Sequence, residues 1–114
     1  MSQRIAVILC TALASAACAS FPPPTDTVAN SLASVRGAEE LGAANVPPAA
    51  LQLQLATEEV NKAKKLMAAG ENEEAHYMAL RASNDAELAI ALTRENHARN
   101  EAQKAEKGVQ AAKI

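Results

Sequence analysis

Three stretches of the chain carry apolar residues at steps of three and four, the repeat of a single helix face. Val28, Leu32, Val35, Ala38 and Leu41 predict a first helix from Asp26 to Leu41, with Thr25 or Asp26 as its N-cap and Gly42 just past its end. Gly37 lies inside it and weakens it by about 1 kcal/mol relative to Ala. "AANVPP" reads as a loop, because Val46 precedes a proline. Leu53, Ala56, Val60, Ala63 and Met67 predict a second helix from Pro48 to about Ala69, closed by Gly70.

A third helix starts near Asn72 and meets no Gly or Pro until Gly108. Its stripe is Ala75, Ala79, Ala82, Ala86 and Ala89. Side chains this small let the second and third helices approach closely as an antiparallel hairpin. "LAIAL", Leu88 to Leu92, is apolar on every side and therefore needs cover on more than one side, for which the first helix is available. Beyond Leu92 the chain turns polar, yet Ala91, Ala98, Ala102, Ala105, Val109 and Ala112 keep one heptad register. Two readings stand: a solvated, partly frayed helix, or a thin seam for a partner, whether another protein or a second copy.

The fold class expected is all-α, an up-down-up three-helix bundle over residues 26–92. A long third helix protrudes from it as a polar extension over residues 93–114. At 1.5 Å per residue the second helix spans about 30 Å and the third about 60 Å, so the last ~20 residues reach roughly 30 Å past the bundle.

Composition sharpens this picture. The chain has 114 residues, one small domain at most, with one Phe, one Tyr and no Trp. Ala supplies 28 positions, which favours helix but buries little area per residue. The bundle is expected to be thin. Net charge is −2 with acids and bases interleaved. No basic stripe or aromatic–basic alternation suggests a nucleic-acid partner.

The first 17 residues read as an export signal: Arg4 supplies the positive start, Ile5 to Leu13 the apolar run, Ala14 to Ala17 the small residues. The uncharged run before Phe21 is 16 residues, short of the ~20 a membrane-crossing helix needs. "SAACAS" around Cys18 resembles the bacterial lipobox, with Ser15 where Leu is usual. The resemblance implies that Cys18 is acylated and becomes the first mature residue. An ordinary signal peptide or an uncut apolar helix are the other readings. Under the lipobox reading Cys10 is lost with the signal, and neither a disulfide nor a metal motif remains. Ala19 after the Cys, as in other Gram-negative lipoproteins, implies sorting to the outer membrane, on its periplasmic face. Residues 18–25, with Pro22 to Pro24, read as a stiff spacer between lipid and bundle.

Candidate chemistry is sparse. There is no Gly-rich phosphate loop among four glycines and no nucleophile–base arrangement in the expected mature chain. Glu73 and His76 form one Glu-x-x-His pair, but bundle di-iron sites need two, and His97 lies 21 residues further along the same helix. The pair is expected at the surface, Tyr77 is expected to pack near the hairpin turn, and no enzyme activity, metal or cofactor is expected.

Two resemblances bear on the bundle. "LMAAGENEEAHYMALRA" is similar to a tetratricopeptide hairpin at Gly70, Ala75, Ala79 and Ala82, but occurs once and lacks the Trp and Pro signatures. Pro48 to Leu51, Ala56 to Val60, Lys62-Ala63, Leu66, Gly70, Ala75, Ala82 and Asp85 to Ala89 together resemble an Ala-rich bacterial lipoprotein family with a domain of unknown function (DUF4398-like). Some relatives carry a peptidoglycan-binding domain of the outer-membrane-protein-A type, which is not seen in this sequence. The first functional expectation is a structural or adaptor lipoprotein of the outer membrane, offering its third helix to a periplasmic protein of the envelope. The alternative is a self-associating coiled-coil spacer, similar to the murein lipoprotein, that contacts peptidoglycan through Lys113.

Overall fold

The computed structural model describes residues 20–114. Among these described residues lie three α-helices: α1 (Thr25–Leu41), α2 (Pro47–Ala68) and α3 (Asn72–Ala112), with a 3₁₀ turn at Ala43–Asn45 between the first two. The predicted all-α, three-helix order with a long third helix is the order observed. Helix ends agree to within a residue, and the caps explain them. Pro24, rather than Thr25 or Asp26, holds the N-cap position of α1, with no side-chain cap. Its carbonyl accepts from the Val28 N–H at 3.0 Å. Asp26 instead lies in the first turn, where a negative charge meets the positive end of the helix dipole.

The α2–α3 turn is a full Schellman motif. Gly70, at φ +80°, donates to the Met67 carbonyl at 3.1 Å, and Glu71 donates to Leu66 at 2.9 Å. That left-handed position is what a glycine is needed for.

α3 is the spine, packing against both α1 and α2. Ala75, Ala79, Ala82, Ala86 and Ala89 are all fully buried, as are Ala49, Ala56 and Ala63 facing them from α2. The main core joins Ala49, Ala56, Ala82, Ala86 and Ala89 to Val35, Ala38, Ala43, Val46, Leu53 and Val60, and a smaller cluster gathers Val28, Ala63 and Ala79 under Met67 and Met78. The core is as thin as its alanine content requires. Its largest fully buried side chains are Val60, Thr93 and Ser31.

Two of those three are polar, and both differ from the predicted stripes. In α1 the buried face is Val28, Ser31, Val35 and Ala38, while Leu32 and Leu41 are only half-buried. Ser31 Oγ donates to its own helix at the Val28 carbonyl (2.8 Å), and Thr93 Oγ1 does the same to Ala89 (2.7 Å). A hydroxyl that satisfies itself against the preceding turn enters a core at little cost. "LAIAL" is covered in part. Ile90 and Leu92 pack on the core, with Ile90 Cδ1 lying 3.8 Å from where a Gly37 side chain would begin, but Leu88 stays 45% exposed.

The core ends at Thr93. Every residue from His97 onward is exposed, although α3 remains helical to Ala112. No helix among the described residues is long and apolar enough to cross a membrane.

Candidate functional site

Three arrangements stand out from the packed core. The first is the outer face of α3. The buried stripe on this helix advances through Ala75, Ala79, Ala82, Ala86, Ala89 and Thr93. Ala91, Ala98, Ala102, Ala105, Val109 and Ala112 are each displaced from that register by two residues, about 200° around the helix. They are all exposed. Leu80 (43% exposed) and Leu88 (45% exposed) extend the same face back over the bundle. An unbroken line of apolar positions therefore runs from Ala98 to Ala112 on the side opposite the buried register, while over the bundle the same line is interrupted by Arg81, Asn84 and Glu95.

The second arrangement is at the other end of the bundle. Phe21 to Pro24 do not stand free as a stalk. They form a strap packed on the first turns of α3. The Phe21 ring lies 5.3 Å from the His76 ring, and the Phe21 carbonyl accepts from Asn72 Nδ2 at 3.0 Å. Pro24 is buried. His76 Nδ1 is 3.2 Å from the Thr27 hydroxyl of α1. His76 is thus half-buried and joins strap, α1 and α3, whereas the sequence reading placed it in a surface pair with Glu73. Tyr77 is 61% exposed, touches His76 edge-on at 5.6 Å and lines a groove with Lys62 and Leu66 of α2, so it sits at the rim of the hairpin and not in its core.

The third is a carboxyl pair between α2 and α3. Glu59 is only 9% exposed. Its Oε1 accepts from Arg81 Nε at 2.6 Å, and its Oε2 is buried without a donor. Burial raises the Glu59 carboxyl above its ordinary value, and the neighbouring Asp85 carboxyl, within hydrogen-bonding reach, raises it further. Arg81 opposes both. A protonated Glu59 would give its orphaned oxygen a partner by donating to Asp85. Sequence reading missed this group because a Glu amid a charged stretch reads as solvent-facing. The available signal was its position, three after Ala56 and four before Ala63 on the buried stripe.

Cys18 lies outside the described residues. Among the described residues no three His, Cys, Asp or Glu side chains gather as a metal ion would require.

No curated protein and no solved structure matches this chain. A family profile does, over residues 26–105, which takes in α1, α2 and α3 as far as Ala105 and so includes most of the exposed part of α3. With that match spanning well over half of its length, the chain belongs to the family described as a domain of unknown function, DUF4398.

Proposed function

We propose that this protein is a non-catalytic adaptor of the bacterial cell envelope, held by lipid on Cys18 to the periplasmic face of the outer membrane and offering α3 to a protein partner. The observation that carries the reading is the uncovered strip on α3. A helix that outruns its bundle exposes apolar side chains to water along a regular line, and small residues on that line allow a second helix to come close. The lipobox-like residues before Cys18 supply the anchor.

The alternative, a self-associating spacer against peptidoglycan, meets an electrostatic obstacle. Parallel pairing through this seam would face Arg94 with Arg99 of the second copy and Glu101 with Glu106, like charges at both flanking positions. Photo-cross-linkers at Ala98 and Ala105 in the full chain, in membranes, test the adaptor reading. A discrete heterologous adduct is expected at both positions and not at Gln103, which points the other way. An adduct with the protein's own mass would favour self-association. Equal, diffuse labelling at all three positions would sink both readings of the seam. The anchor has its own test: a fatty-acid analogue should label the wild type and not Cys18→Ser.

A further inference from the structure

The Phe21–Pro24 strap lies at the opposite end of α3 from the exposed seam, yet it is fastened at several points. Asn72 donates to its backbone, the His76 ring lies tilted against its only aromatic ring, and Pro24 is buried where it starts α1. Ser20 and Phe21 also line one depression with Gly70, Glu71 and Asn72, so the strap runs along the α2–α3 turn. The Asn72 amide is committed to it: Nδ2 serves the Phe21 carbonyl, while Oδ1 is buried without a partner.

Chain geometry then sets a distance. A free polyproline spacer from Cys18 to Thr25 would hold the bundle off its anchor by about 22 Å, at ~3.1 Å per residue. With the strap docked, only two residue steps, through Ala19, lead from Cys18 to Ser20 beside the turn, at most about 7 Å. That is comparable to the ~5–8 Å depth of one headgroup layer. Charge would not bring the turn there unaided. Near it, Lys64 and Lys65 are set against Glu71, Glu73 and Glu74.

We infer that the strap, clamped by Asn72 and His76, is a rigid mount that seats the α2–α3 turn on a lipid headgroup surface and aims the exposed end of α3 away from it. This rests on the lipid anchor proposed above. The mount places the Ala98–Ala112 seam about 40–60 Å along α3 from its membrane end, which is where a partner must reach. A free spacer would let the bundle lean, and the seam would have no defined height.

The experiment uses the full chain and two readouts. Phe21 is the only Phe, so fluorophenylalanine incorporation gives one fluorine signal. In wild type it should be displaced from its random-coil position, and it should return there in Asn72→Ala and in Phe21-labelled His76→Ala, with far-ultraviolet circular dichroism unchanged. A wild-type signal already at the random-coil position overturns the clamp. In phospholipid vesicles with headgroup-attached quencher, a fluorophore at Ala69 should be quenched at least threefold more than one at Val109, and Asn72→Ala should remove most of that difference. Equal quenching at Ala69 in wild type and Asn72→Ala overturns the mount. If the chain fails to sediment with vesicles while the fluorine signal is displaced, the anchor is refuted, and the membrane seat with it, while the clamp itself is upheld.

Discussion

The two halves of α3 share one helix and one alanine-rich vocabulary, but only one half is packed. From Ala75 to Thr93 the stripe is buried against α1 and α2. Continued in the same register it falls on Asn96, Asn100, Gln103 and Lys107. The face that holds the bundle becomes polar, and the apolar positions move to the opposite side. Local contacts then sustain the helix: Arg99 pairs with Glu95, and Asn100 Nδ2 donates to Asn96 Oδ1 at 3.1 Å. Such pairs contribute only ~0.2–0.5 kcal/mol each. A regular line of alanines therefore says that a helix can be approached closely. Which neighbour approaches, and whether any does, depends on the line's side.

The sharpest way to break this comparison is one substitution made in each half. Ala86→Leu, fully buried between helices, should destabilise by about 2 kcal/mol through overpacking, read from the urea midpoint. Ala105→Leu should change stability by less than about 0.5 kcal/mol. Similar losses at both positions would mean that the extension is packed after all.

A gentler pair uses two helical glycines. Gly37→Ala adds a methyl at ordinary contact distance from Ile90 and should stabilise the bundle by roughly 0.5–1 kcal/mol. Gly108→Ala has nothing within 4 Å and should raise helicity by circular dichroism without moving the unfolding midpoint.

Glu59 is expected to give the packed half a pH-dependent stability. Its carboxyl is raised in the folded chain, first by burial and then by Asp85, from an ordinary value of 4.5. Between that value and the raised one, the folded state binds more proton than the unfolded state. Its contribution to stability is therefore present below pH 4.5 and is lost as pH rises through the raised value. Arg81 and Asp85 face it from α3, with Glu58 and Lys62 beside it on α2. Glu59→Gln should flatten the urea midpoint over this window relative to wild type, the other carboxylates cancelling in the difference. An unchanged slope would show that the Glu59 carboxyl is not raised in the folded chain.

The smallest effect is expected from truncation after Asn96. Because every later side chain is exposed, the unfolding midpoint should shift by less than about 0.5 kcal/mol while helical signal falls.

Much of the fold was legible because alanine spacing, proline and glycine act locally. The stripes of α2 and α3, both turns and the end of the core register could be read without coordinates. Ser31 and Thr93 could not, since a hydroxyl bonded to its own helix counts as polar in any pattern although it behaves as a small apolar group in the core. Glu59 was hidden for a related reason: its burial is tolerated through Arg81, a residue 22 positions away on another helix. Of the seam, the residue positions and their projection past the bundle were legible, but the exposure of Leu80 and Leu88 over the bundle was not.

The sequence by itself determined three helices, their lengths and the close approach of the second to the third, because those follow from propensity, caps and side-chain size along neighbouring residues. Only the tertiary structure decided that Phe21 to Pro24 lie against α3 as a strap. Phe21 meets Asn72 and His76 across 51 and 55 positions of chain, respectively. Contacts at that separation depend on where two helix ends and a turn converge in space, and no periodicity along the chain records that convergence.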